Sequence, residues 1–113
     1  MRRGEVWVVN LNPNRSQEAG RIRPAVVLQD DHLTGSGLPT VLVAPLATQV
    51  RPALEPLRVR LPARDRLRQD CQVMVDQARA VDSSRFGDGP LTTLSSGEMQ
   101  AVERSLRVLL GMY

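Results

Sequence analysis

The sequence predicts an α+β domain: a small, strongly bent antiparallel sheet or barrel, with one amphipathic helix packed on it at the C-terminal end. Three observations carry this. Short runs rich in β-branched residues, separated by turn signals, fill the chain as far as Asp82. One of them, Leu57 to Leu61 (L-R-V-R-L), alternates apolar and basic residues as a half-buried strand does. Beyond Ser95 the period becomes helical. Ser95 and Glu98 match the capping box S-x-x-E, and Met99, Val102, Leu106, Leu109 and Leu110 lie on one helical face. Gly111 stands where a helix-terminating glycine belongs.

The elements follow in order. Gly4 to Leu11 reads as a valine-rich strand containing Trp7, closed by the turn signal N-P-N. Arg15 to Arg21 is a polar loop. Ala25 to Gln29, short and continuously apolar, is a central strand. DDHLTGSGLP is a turn-rich loop, and Thr40 to Leu46 is a third strand with Pro45 near its end, where a missing N–H is tolerated. In Leu57 to Leu61 the alternation places Arg58 and Arg60 together on the open face. Arg64 to Arg68 reads as a short helical turn. Cys71 to Val75 and Ala78 to Asp82 are two more strands, with Asp76 and Gln77 at their junction, and FGDGP closes the sheet.

With 113 residues the chain is predicted to be one domain with a modest core. An apolar fraction of 42% and mixed charges fit a globular protein, and no apolar run approaches the roughly 20 residues needed to cross a bilayer. The start, MRRGEVW, lacks an apolar h-region, so secretion by that route is not expected. Cys71 is alone, which excludes an internal disulfide and a paired-cysteine metal site. A reducing cytoplasm fits best. All 15 basic residues are arginine, a pattern that the codon bias of a GC-rich genome explains better than selection for bidentate phosphate binding does. The net charge of +3 mildly favours an anionic partner. Between Arg51 and Arg68 six arginines face only Glu55 and Asp65, a candidate phosphate-facing edge or an ordinary solvated face.

Candidate chemistry is sparse. Asp30, Asp31 and His32 form the tight acidic group, and the adjacent G-S-G makes a solvated turn a better reading than a magnesium site. His32 is the sole histidine, so a two-histidine acid and base pair cannot operate within one chain. No phosphate-cradling glycine motif is present, and no cofactor is implied. What remains is chemistry by arginines, hydroxyls and carboxylates. RNA carries its own nucleophile, the 2′-OH beside the scissile phosphate, so its cleavage needs a positioned strand, charge stabilisation and proton transfer rather than a metal. An arginine's paired N–H donors suit the developing negative charge. Arg23, directly before Pro24 and the apolar run AVVLQ, is the candidate; the alternative is an arginine that opens a strand and pairs with a surface acid.

The opening RRGEVWVVNLNP, the loop SQEAGRI and the pair Arg23-Pro24 before AVVLQ resemble the MazF/PemK family of toxin endoribonucleases. That family's pattern runs G-[DE]-[IV]-[VW]-x-[VA]-x-[LF]-[DN]-P, then G-x-E-Q-x-G, then R-P-[AV]-[VL]-[VL]. The resemblance implies the SH3-like barrel shared with gyrase-poison toxins. It also implies metal-independent cleavage of single-stranded RNA at a specific sequence, a homodimer and an antitoxin partner. A non-enzymatic gyrase poison of the same fold, or an RNA-binding relative with weakened catalysis, remains the alternative.

Carried over by position, the catalytic R-P arginine is Arg23. The assisting threonine of P-[LC]-T-[ST]-Q meets P-L-A-T-Q here, with Ala47 in its usual place and Thr48 one step later, followed by Gln49. Thr48 can serve only if the strand has ended or bulges there. Gln17, Glu18 and Arg21 are expected to line the RNA groove. V-D-Q-A-R-A-V-D resembles A-D-Q-V-R-S-I-D, which makes Asp76, Gln77 and Arg79 candidates for base contacts or groove shaping. Arg58 and Arg60 are expected to add phosphate affinity. Three aromatics, Trp7, Phe86 and Tyr113, are too few for a base-stacking platform, so hydrogen bonds to unpaired bases would carry selection.

Overall fold

A computed structural model describes residues 1–13 and 21–113. Gln17 and Glu18 lie outside the described residues. Glu5–Asn10 forms β1 and Ile22–Val27 forms β2, paired antiparallel with Val9 opposite Arg23. Thr40–Ala47 is β3, the strand on which the sheet turns. One edge of β3 pairs with β2 through Val43, Ala44 and Pro45. Its other edge is shared. Arg79–Asp82, designated β6, takes residues 40–43, and Cys71–Val73, designated β5, takes Leu46 and Ala47. Val59–Leu61 (β4) extends the sheet beyond β5, and the two-residue β7 at Thr92–Thr93 pairs with β1. The 3₁₀ turn Val75–Gln77 carries the chain from β5 to β6 and makes the corner of a curled sheet.

Alternation divides the apolar residues between two cores. Val26, Leu28, Ala44, Leu46 and Val73 face one side and meet Met99 and Val102 of the C-terminal helix. Val9, Leu11, Ala25, Val27, Val41, Val43 and Val81 face the other, under Trp7 and Phe86. The FGDGP segment runs along β1, with Gly87 N–H donating to Val8 O at 2.7 Å and Leu91 N–H to Val6 O at 2.7 Å. Gly89 must be glycine there, because a Cβ would stand 2.4 Å from the Trp7 ring.

Ser96–Leu110 is the C-terminal helix, written α2 below, and both halves of the expected capping box form: Glu98 N–H donates to Ser95 Oγ at 3.1 Å and Ser95 N–H to Glu98 Oε1 at 2.8 Å. Gly111 closes the helix at φ 70°, in the left-handed region that favours glycine. The Glu98 carboxylate also takes a fork from Arg64, at 2.8 and 2.5 Å, so one side chain caps the helix and ties it to the sheet.

Four expectations are corrected. DDHLTGSGLP contains a helical turn, Asp31–Gly35 (α1), because Asp30 accepts from His32 N–H as its N-cap. Arg64 to Leu67 is a tight hairpin turn closed by backbone bonds of 3.0 and 2.9 Å, with Asp65 at φ 52°, rather than a helical turn. The end of α2 outruns the sheet, leaving Leu109 and Leu110 43% and 64% exposed instead of packed. Arg58 and Arg60 do not share an open face. The strand starts at Val59, and Arg58, only 9% exposed, folds inward to Asp76.

Candidate active site

Antiparallel pairing brings four strand ends to one end of the sheet: the last residues of β1 and β3 and the first of β2 and β6. Arg23, Thr48, Gln49, Gln77 and Arg79 all come from these ends or the turns beside them. Arg23 precedes Ala25 and Val27 in the odd-numbered row of β2, so it continues the face of the second core. It is half-buried.

Pro24 accounts for the arrangement. Leu28 N–H donates to Leu42 O, so residues 26 with 44 and 24 with 46 are the next hydrogen-bonded pairs of the β2–β3 ladder. Proline has no N–H, and the ladder stops at Ala25 opposite Pro45. The Leu46 carbonyl faces β2 without its usual donor, and Arg23 Nη1 approaches it at 3.5 Å. The R-P pair thus turns a gap in a strand ladder into a seat for a guanidinium. Burial and the nearby charge of Arg21 both lower the Arg23 pKa from its ordinary value. A group whose charge is disfavoured in this way gains from an anion placed beside it.

Further arginines converge here. Arg79 Nη1 donates to Leu11 O at 3.4 Å; Arg85 Nη1 donates to Asn10 O at 3.1 Å and also to Asn12 O. Arg21, at φ 70°, is exposed beside them, its N–H held by Asn12 Oδ1 at 2.8 Å. Arg85 was not distinguished by the sequence, since nothing local in D-S-S-R says that it reaches back to the end of β1.

β3 ends at Ala47, so Thr48 and Gln49 are beyond the ladder and both are exposed. The condition for Thr48 to serve is met. Position 47 itself continues the odd row of Val41 and Val43, the face of Arg23, whereas Thr48 has left the strand.

The carboxylate of Asp76 is engaged. Arg58 donates to it through Nε and Nη2, both at 2.9 Å, a bidentate pair that joins the entry of β4 to the sheet corner. Arg60 Nε donates to Glu55 at 2.6 Å, Arg64 pairs with Glu98 and Arg66 with Asp88. Four of the six arginines of the basic segment therefore pair with carboxylates, Arg60 and Arg66 doing so at the surface. The expectation of a phosphate-facing edge there loses most of its charge. The acidic group at Asp30, Asp31 and His32 caps α1 and binds the backbone of Arg3, and among the described residues no group of three or more His, Cys, Asp or Glu side chains could hold a metal.

Arg58→Met, which keeps the stem and removes the fork, is expected to lower stability by about 1–3 kcal/mol, because Asp76 is left without its partner. Hydrogen bonding from Arg58 holds the Asp76 carboxyl below its ordinary range, and Arg64 does the same for Glu98. With the native pKa the lower one, both contributions are complete at neutral pH and are lost as pH falls through the depressed values, below about pH 4. The thermal midpoint of the parent should therefore fall more steeply than that of Arg58→Met between about pH 5 and about pH 3. Parallel curves would mean the pair contributes no pH-dependent stability.

Residues 2–110 match the family described as PemK-like, MazF-like toxin of type II toxin-antitoxin system. The endoribonuclease MazF of Staphylococcus saprophyticus is 34% identical over 115 residues, covering 100% of this chain and 93% of that protein. The crystal structure of MazF from Deinococcus radiodurans superposes with a TM-score of 0.84 at 25% identity, over 99% of this chain and 97% of that one. A MazE–MazF structure from the same organism gives 0.78 at 26%, over 100% and 97%. A profile match along almost the whole chain and a relative at this identity leave one conclusion: the chain belongs to the PemK-like, MazF-like toxins of type II toxin-antitoxin systems.

Proposed function

We propose that this protein is the toxin's nuclease in full: an endoribonuclease that cuts single-stranded RNA at a specific sequence by attack of the 2′-OH on the adjacent phosphate. The observation that carries this reading is Arg23, half-buried at the junction of four strand ends, with its charged form disfavoured by burial and by Arg21. A phosphate seated at its fork relieves both. As the 2′-oxygen bonds to phosphorus and the bond to the 5′-oxygen breaks, negative charge grows on the phosphoryl oxygens, and paired N–H donors stabilise it most at that point. The 2′-OH proton leaves and the departing 5′-oxygen gains one. Thr48, beyond the end of β3, is assigned the assisting hydroxyl. Arg21, Arg79, Gln77 and Gln49 surround the strand ends and are assigned contacts to the RNA, as are Gln17 and Glu18, which lie outside the described residues. Asp76 shapes the groove through its pair with Arg58, and Arg60 through Glu55.

The toxin is further proposed to act as a cytoplasmic homodimer held in check by a protein antitoxin. Support for the partner comes from the family and from the MazE–MazF complex among its structural neighbours. Support for the dimer comes from the apolar end of α2, where Val108, Leu110 and Met112 are each more than 60% exposed.

The test is incubation of the purified protein with long single-stranded RNA in excess EDTA. Cleavage is expected to persist, and fresh fragments should accept a label from polynucleotide kinase because they carry a 5′-OH. Activity abolished by EDTA and restored by magnesium, or fragments blocked by a 5′-phosphate, would replace this mechanism with metal-assisted attack by water.

A further inference from the structure

Gln72 is the polar member of the otherwise apolar run C-Q-V-M-V, and it is fully buried. In the sheet it stands opposite Ala47 on one side and Arg60 on the other. Both polar atoms of its side chain are bonded. Oε1 accepts from Arg51 N–H at 3.2 Å, while Nε2 donates to Arg51 O at 3.1 Å and to Glu55 Oε2 at 3.2 Å. A primary amide has the donor and acceptor pattern of a peptide group, so Gln72 binds both backbone groups of Arg51 as a neighbouring strand would. The consequence lies in the connectivity. The backbone of residue 72 is in register with Ala47, where β3 ends, and its side chain holds Arg51, four residues later. Thr48, Gln49 and Val50 span the interval between two anchors that belong to one residue.

We propose that Gln72 is a positioning residue for cleavage: it fixes the Thr48–Val50 segment so that the Thr48 hydroxyl is held at the strand ends beside Arg23. The inference rests on the reading of Thr48 given above. Glu55 completes the clamp at one remove, since the same carboxylate oxygen accepts from Gln72 Nε2 and from Arg60 Nε. Without the amide, Arg51 N–H loses the acceptor it has in Gln72, Arg51 O keeps the local bond from Leu54 N–H at 3.0 Å, and the tie from this segment across to β5 beyond Ala47 is lost. An error of about 1 Å in a reacting group is enough to cost up to about 10²-fold in rate.

The experiment compares Gln72→Leu, Gln72→Glu and Glu55→Gln with the parent, each with and without Thr48→Ala. The readouts are single-turnover cleavage at saturating RNA and hydrogen exchange at the Arg51 amide, both well below the thermal midpoint. Gln72→Leu is expected to slow cleavage about 10-fold or more with RNA affinity little changed, and to speed exchange at Arg51 by a similar factor. Gln72→Glu keeps the volume and an acceptor for Arg51 N–H but loses both donated bonds, and should fall between Leu and parent; it also serves if Gln72→Leu does not fold. Glu55→Gln leaves the Arg51 bonds in place but weakens the support of the amide, and should speed exchange at Arg51 less than Gln72→Leu does. In the Thr48→Ala background Gln72→Leu should add nothing, because residues acting through one group are non-additive. A folded Gln72→Leu protein that cleaves at the parent rate overturns the proposal, even if its thermal midpoint drops. So does unchanged exchange at Arg51. If Thr48→Ala alone cleaves like the parent, it is the hydroxyl assignment that fails, and the Arg51 exchange still reports whether Gln72 holds the segment.

Discussion

Arg23→Ala is expected to lower single-turnover cleavage of RNA by about 10²-fold or more while the thermal midpoint stays near that of the parent. The fold should tolerate the change because the side chain is half-buried near the start of a strand and belongs to neither apolar core. Burial and Arg21 already work against its charge, so removal relieves an electrostatic cost in the free protein. The loss should appear in the rate at saturating RNA more than in affinity, since the fork is matched to charge that grows only as the phosphate is attacked. Arg23→Lys should recover a fraction of the rate, as a point charge cannot present two parallel donors. A variant that binds RNA tenfold more weakly but cleaves at the parent rate once bound would make Arg23 a binding residue and move the chemistry elsewhere.

The place of Arg23 at the strand ends was more legible in the sequence than the contacts around it. Arg23-Pro24 was legible because the proline imposes a physical requirement: whatever strand it opens must lack one ladder donor, and a neighbouring carbonyl is left to be satisfied. The capping box and Gly111 were legible because their signals are local, complete within a few residues. The expectation that Arg58 and Arg60 share an open face failed for the opposite reason. Alternation in L-R-V-R-L is a rule for residues inside a strand, but the strand begins at Val59, and Arg58 is drawn inward by Asp76, 18 residues away. The local surplus of arginine misled in the same way, because Asp76, Glu98 and Asp88 come from outside the segment to meet it. Arg85 and Gln72 act on residues 75 and 21 positions earlier, through contacts that the curl of the sheet creates. Of the two, only Gln72 left a trace, as one amide in an apolar strand whose burial demands partners.

Thr48→Ala is expected to be nearly as damaging as Arg23→Ala, with the double variant little worse than either alone. The hydroxyl is the one group at the strand ends placed by a departure from the family pattern, so it separates two accounts of this chain. In the first, β3 stops at Ala47, the side chain of Thr48 is released from strand alternation, and the shifted hydroxyl reaches the same phosphate. In the second, the useful position is 47, whose row along β3 leads to the face occupied by Arg23, and alanine there leaves the arginine to work alone. Ala47→Thr separates them. Under the first account a second hydroxyl adds little, and Thr48→Ser, which keeps the oxygen and drops the methyl, should cleave close to the parent rate where Thr48→Ala does not. Under the second, Ala47→Thr raises the rate by about 10-fold or more and Thr48→Ala leaves it unchanged. Parent-like cleavage by Thr48→Ala, together with a faster Ala47→Thr, would establish this toxin as a nuclease weakened at a single methyl-bearing position, and would transfer the assisting role from Thr48 to the residue before it.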